Sequence, residues 1–135
     1  MKTMHWEPEL ETGVERVDQQ HRELFRLVNM LFDHDQRTDA KETLKFVGEY
    51  VMQHFADEEA LQVASRYPGL QGHKRLHTDF IRIFIDLKER LDQAANEEDQ
   101  EIAVMSVNGM VVDWLTDHVL VQDRRFTTWY KAQIS

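Results

Sequence analysis

No cysteine occurs anywhere in the chain. That excludes disulfide staples, thiolate metal sites and thiol catalysis, and it permits a reducing compartment. Glycine and proline are nearly as scarce, with five and two among 135 residues. So little punctuation favours a few long helices over many short strands. There is no excess of positive charge: the formal net charge is −9. An acidic surface repels phosphate backbones and anionic lipid, so neither nucleic acid nor a membrane surface is an expected partner. No apolar run approaches the ~20 residues that span a bilayer. The first residues, MKTMHWEPELETGVE, hold no apolar segment of the signal-peptide kind. The expected address is the cytoplasm.

What remains is a chain of single-domain size, read as one domain over residues 1–135. Residues 1–17 carry Pro8, Gly13 and no helical stripe, and are expected to form an extended arm packed through Trp6, Val14 and Val17. Asp18 is a candidate N-cap for a first helix reaching about residue 36, with the stripe His21, Leu24, Phe25, Val28, Leu31 and Phe32. Asp39 can cap a second helix over about 40–65, with the seam Leu44, Val47, Val51, His54, Glu58 and Leu61. Pro68 and Gly69 end it. A third helix over about 70–93 presents His73, His77, Phe80, Phe84, Leu87 and Leu91. A fourth over about 99–120 presents Val104, Val107, Val111, Trp114, His118 and Val121. A short amphipathic C-terminal helix with Phe126, Trp129 and Tyr130 is expected to fold back over the rest. The fold class is all-α: an up-down-up-down four-helix bundle.

Five of the seven histidines lie on these apolar stripes: His21, His54, His73, His77 and His118. A single histidine on such a face is usually a core residue with a hydrogen-bond partner. That reading suits His5, in the arm, and His34, which falls in the last turn of the first helix where a cation suits the dipole. It fails for five together. Burying an unpartnered polar group costs roughly 1–3 kcal/mol, and a small domain has only about 5–15 kcal/mol of net stability. A metal centre satisfies all of them at once, since neutral imidazole is a common ligand.

The carboxylates agree. Glu58 lies one turn after His54 on the same seam, a poor place for a glutamate unless it is paired or coordinated. Asp57 and Glu59 flank it and are expected on the solvated surface. Asp123 follows His118 by five residues, which leaves it about 140° away on a regular α-helix. A π-bulge would bring both to one centre. Taken alone, Asp123 would pair on the surface with Arg124 or Arg125. Five imidazoles and two carboxylates are too many for one ion. If both carboxylates bridge two ions, and one oxo or hydroxo group bridges as well, the set falls one donor short of two octahedra. One position on one metal stays open for a small molecule. Nitrogen and oxygen donors without sulfur suit iron, manganese, zinc or copper. So few anions favour the ferrous state and reversible O₂ binding over O₂ cleavage. Leu24, Phe55, Trp114, Leu115 and Val119 lie within a turn of these residues and suit a dry pocket.

These motifs, HWEPELETGVERVDQQH, HFADEEAL, YPGLQGHKRLHTDF and WLTDHVLVQDRRF, resemble the hemerythrin family, and its bacterial branch in particular. The resemblance covers nearly the whole chain. It implies a non-haem di-iron centre that binds O₂ reversibly, with two iron ions and an oxo or hydroxo bridge. It implies that His73, His77 and His118 hold one iron, that His21 and His54 hold the oxygen-binding iron, and that Glu58 and Asp123 bridge. The chain departs from the family at Gln62, where a methionine is common. Gln62 lies one turn beyond Glu58. Either it reaches the surroundings of the centre and tunes oxygen release or autoxidation, or it faces solvent. The same centre suits other roles: a di-iron oxidase, peroxidase or nitric oxide reductase, or the sensing module of a signalling protein with an output domain or redox partner. The expected role is non-enzymatic O₂ storage, delivery or sensing.

Overall fold

The computed structural model describes residues 1–37 and 39–134, and among these it is helical with no strand. An arm with a single 3₁₀ turn at Pro8–Leu10 leads into α1 (Glu15–Phe32), α2 (Ala40–Ser65) and α3 (Leu70–Gln93). A fourth helical run follows as α4 (Glu97–Ser106), α5 (Asn108–Asp117), a π-helical segment (His118–Asp123) and α6 (Arg124–Ile134). Contacts between neighbours fix the directions. Glu59 meets His77 while Lys41 meets Asp92, so α2 and α3 run antiparallel. His77 meets His118 while Arg90 meets Ser106, so the fourth run is antiparallel to α3. His21 meets Asp123 while His34 meets Glu101, which closes the bundle against α1. No helix among the described residues is long and apolar enough to cross a membrane.

The helix boundaries follow local chemistry. The Asp39 carboxylate accepts from the backbone N–H of Lys41 and Glu42 and caps α2 as expected. Asn96 accepts from Asp99 N–H and caps α4. Arg66 closes α2 with a left-handed backbone (φ 61°), and Tyr67 N–H donates back to Gln62 O. Gly69 packs closely under Tyr67: a Cβ there would sit 2.8 Å from the ring, which would have to shift.

Four expectations change. Asp18 is not an N-cap, since α1 begins at Glu15. It sits buried in the first turn, where its carboxylate accepts from Thr12 N–H, Thr12 O–H and Gly13 N–H, tying the arm to the helix. Burial works to raise its pKa, but the Thr12 and Gly13 hydrogen bonds win and hold it below the ordinary aspartate value. The first helix stops at Phe32, its last apolar anchor, so His34 lies beyond it and is exposed. On α2 the core face at the far end is Gln62, fully buried, rather than Leu61, half-buried. A straight helix keeps its 3.6-residue period: Gln62 lies a whole number of turns from Leu44, and Leu61 falls about 100° short. The C-terminal helix does not fold back. It continues in helical backbone through Arg124 and reaches the arm, where Lys131 Nζ donates to Thr12 O.

The arm packs through Met4 and Leu10, both buried, with Trp6 edge-on to Phe25 at 5.3 Å. Val14 is half-buried, and Val17 is buried as part of α1. Two asparagine amides hold the arm as a strand neighbour would. Asn29 exchanges a pair of hydrogen bonds with Met4, and Asn108 does so with Lys2. The fourth run breaks its regular backbone at Val107, beside that second pair.

Asp18→Asn should destabilise the protein by about 1–3 kcal/mol near neutral pH. The aspartate's folded pKa is depressed, so its contribution is complete above the unfolded value of 3.8 and is lost as pH falls through the lower folded value. Urea unfolding of both proteins from pH 7 to pH 2 checks this. The gap should narrow only at the acid end, and a gap independent of pH would contradict it.

Candidate metal centre

Each helix of the bundle delivers part of one polar cluster. α1 supplies His21, and α2 supplies His54 and Glu58 one turn apart. α3 supplies His73 and His77 one turn apart, and the π segment supplies His118 and Asp123 at its two ends. The i→i+5 turn brings Asp123 onto the side of His118, as the spacing required. The same widening leaves Val121 outside, 39% exposed, although the regular stripe placed it inside. All seven side chains are buried.

The carboxylates divide their oxygens between two sets of imidazoles. Glu58 Oε1 lies 2.5 Å from His73 Nε2 and 3.5 Å from His77 Nε2. Glu58 Oε2 lies 3.6 Å from His54 Nε2 and 3.9 Å from His21 Nε2. Asp123 Oδ1 lies 3.0 Å from His73 Nε2 and 3.1 Å from His118 Nε2, while Oδ2 lies 3.0 Å from His21 Nε2. His77 Nε2 and His118 Nε2 face each other at 3.1 Å. Glu58, His73, His77, His118 and Asp123 thus form one group, and His21, His54, Glu58 and Asp123 form another. Within each group the ligand atoms lie within 4.8 Å of one another.

This arrangement fits a pair of cations. His21 Nε2, His73 Nε2, Asp123 Oδ1 and both oxygens of Glu58 are buried with no hydrogen-bond partner in the protein. Burial opposes protonation of His21, yet Asp123 and Glu58 raise its pKa to about 9, and the same pair raises His73 to about 9. His54 goes the other way, to about 4, because burial and the nearby His21 outweigh the carboxylates. Burial also opposes ionisation of Glu58 and Asp123, but the surrounding imidazoles hold both below the ordinary carboxylate range. The site therefore calls for positive charge at its centre, and nitrogen and oxygen donors alone supply the ligands.

A family model described as hemerythrin HHE cation binding domain matches residues 12–130. The chain belongs to the hemerythrin family. It is 30% identical over 138 residues to a bacteriohemerythrin of Stenotrophomonas maltophilia, covering all of this chain and 86% of the relative. A bacteriohemerythrin of Pseudomonas paraeruginosa is 29% identical with the same coverage. One from Clostridium acetobutylicum is 28% identical over 131 residues, covering 90% of this chain and 96% of the relative.

Around this hemerythrin cluster lies a second layer of contacts that spacing did not reveal. His77 Nδ1 lies 2.7 Å from Glu59 Oε2, and His54 Nδ1 lies 2.8 Å from Gln20 Oε1. Gln20 Nε2 donates in turn to Asp57 Oδ2 at 3.2 Å. Glu59 and Asp57, expected on the solvated surface, instead orient imidazoles, Glu59 directly and Asp57 through Gln20. A carboxylate or amide on Nδ1 fixes the tautomer and turns Nε2 inward. An acidic pair beside Glu58 reads equally well as surface charge, so only the three-dimensional neighbours distinguish the two. Of the expected pocket residues, Leu24, Phe55, Leu115 and Val119 are buried, and Trp114 is half-buried. Phe55 stacks on His77 at 3.8 Å and 3°, and Trp114 stacks on His118 at 4.5 Å and 11°. His5 and His34 are exposed and stand apart from the cluster.

Glu59→Ala should weaken metal binding at the cluster by about 10–100-fold while leaving the helix content unchanged. Competition with a chelator checks this. Undiminished retention of metal would mean that Glu59 does not support His77.

Proposed function

We propose that this chain binds O₂ reversibly at a non-haem di-iron centre, for storage, delivery or sensing rather than as an enzyme. The observation that carries the reading is the division of oxygens: each carboxylate turns one oxygen to a three-imidazole group and the other to a two-imidazole group. In this reading His73, His77 and His118 hold one iron, His21 and His54 hold the other, and Glu58 and Asp123 bridge. The iron pair, with its oxo or hydroxo bridge, would supply an open position and the reducing electrons that O₂ requires.

The remaining work falls to the protein's own side chains. Glu59 and Gln20 keep the Nε2 lone pairs of His77 and His54 pointed at the centre. Phe55 and Trp114 cover the faces of His77 and His118 and hold those rings in place. Leu24, Leu115 and Val119 join Phe55 in the continuous apolar core beside the cluster, which limits water and favours release of O₂ unchanged. The proposed setting for this acidic, cysteine-free chain is the cytoplasm.

The test is an absorption spectrum with an iron count. The protein is reduced without oxygen, exposed to air, then returned to anaerobic conditions. Two irons per chain and a charge-transfer band that rises with air and fades on its removal are expected. Two irons with one-way oxidation would turn the assignment to an oxidase or peroxidase, and zinc or no metal would remove the oxygen chemistry. Leu115→Ala should keep its iron yet autoxidise several-fold faster, as water enters the space left by the side chain. An unchanged lifetime of the oxygenated form would show that Leu115 does not guard the pocket.

A further inference from the structure

One buried polar side chain beside the cluster has no part in the arrangement so far. Gln62 is 0% exposed, and both of its side-chain atoms, Oε1 and Nε2, lack a hydrogen-bond partner in the protein. An amide in that condition is costly, and the same volume of hydrocarbon would pack there without the penalty. Both oxygens of the neighbouring Glu58 are buried as well, and imidazole nitrogens face them at 2.5–3.9 Å. Glu58 and Gln62 are one helical turn apart on the core face of α2, a spacing that puts their Cβ atoms about 5–6 Å apart. A buried amide with no partner thus lies one turn from the carboxylate that faces both groups of imidazoles. The backbone next to Gln62 is fixed too, since its carbonyl accepts from Tyr67 N–H at 2.9 Å where α2 closes.

The geometry points to Gln62 as a positioning residue for the carboxylate bridge: its Nε2–H donates to Glu58, directly or through one water, and lowers the carboxylate's electron donation. This inference rests on the di-iron reading. A carboxylate that bridges two cations keeps lone pairs free, and a donor on one of them withdraws charge from the metal-bound oxygens. Less donation disfavours the ferric state. Gln62 therefore raises the reduction potential of the centre and slows its autoxidation. No proton or atom is transferred in this role.

Two substitutions test it. Gln62→Met keeps the length of the side chain and removes the donor, and Gln62→Glu replaces the donor with an anion. The reduction potential should fall in the order wild type, Gln62→Met, Gln62→Glu. Autoxidation of the reduced Gln62→Met protein should be about tenfold faster than wild type. Urea unfolding of the iron-free chains supplies a readout independent of the loaded centre. Gln62→Met should be at least as stable as wild type there, because it buries no unpartnered amide. A purely packing role predicts the reverse pattern: lowered iron-free stability and an unmoved potential. Equal potentials in three proteins that each hold two irons would overturn the assignment to Gln62 alone. A wild-type protein that fails to take up two irons would overturn the di-iron reading on which it stands.

Discussion

Two carboxylates that stay charged in the middle of a helical bundle set the terms for the rest of this protein. Glu58 and Asp123 are buried almost completely, and each repels the other's ionised form. Removing them from water is expensive unless positive charge and directed donors surround them. The bundle answers with five imidazoles, at least one from each helix, and turns the Nε2 atoms toward the carboxylate oxygens. An enclosed cluster of this kind cannot be assembled from one or two helices. It requires antiparallel neighbours in register on all sides, so the chemistry of the cluster and the topology of the bundle constrain each other.

The fourth helical run shows what this costs locally. A regular α-helix cannot point His118 and Asp123 at one place. The chain accepts a π segment over His118–Asp123, which sends Val121 outward to partial exposure. The run continues as α6 without a turn, so the C-terminal helix extends along the arm instead of returning over the bundle. The arm is then held from both directions: by Asn29 and Asn108 near its start, and by Asp18 and Lys131 near its end. It packs Trp6 against Phe25, next in sequence to the buried Leu24.

Much of this was legible in the sequence because the signals were periodic. Histidines at His73 and His77, or His54 followed by Glu58, share a face by helical geometry alone. The misfit of Asp123 predicted its own remedy, since only a wider turn reconciles a five-residue step with a common centre. The contacts that are not legible in the sequence are not periodic. Glu59 and Asp57 sit beside a buried glutamate and look like solvated charge, but the contacts that recruit them come from His77 on α3 and Gln20 on α1. Asp18 has the sequence position of a helix cap, yet its partners, Thr12 and Gly13, precede it in the arm. A heptad step from His54 selects Leu61, an apolar residue and the ordinary choice for a core face. A straight helix does not keep the heptad, and it buries the glutamine.

That last choice bears on how the proposed centre would be tuned. The imidazole side is lined by apolar rings, with Phe55 on His77 and Trp114 on His118. The ring faces stacked on the imidazoles offer no strong hydrogen bond with which to adjust the charge at the metals. On α2 beyond Glu58, the core face carries an amide in place of hydrocarbon. An apolar wall and a polar contact to the bridge control different quantities. The wall governs how readily water reaches the centre, and the contact governs how strongly the bridge donates to it. Placing the two on different helices, Leu115 on α5 and Gln62 on α2, lets one be altered by substitution without the other.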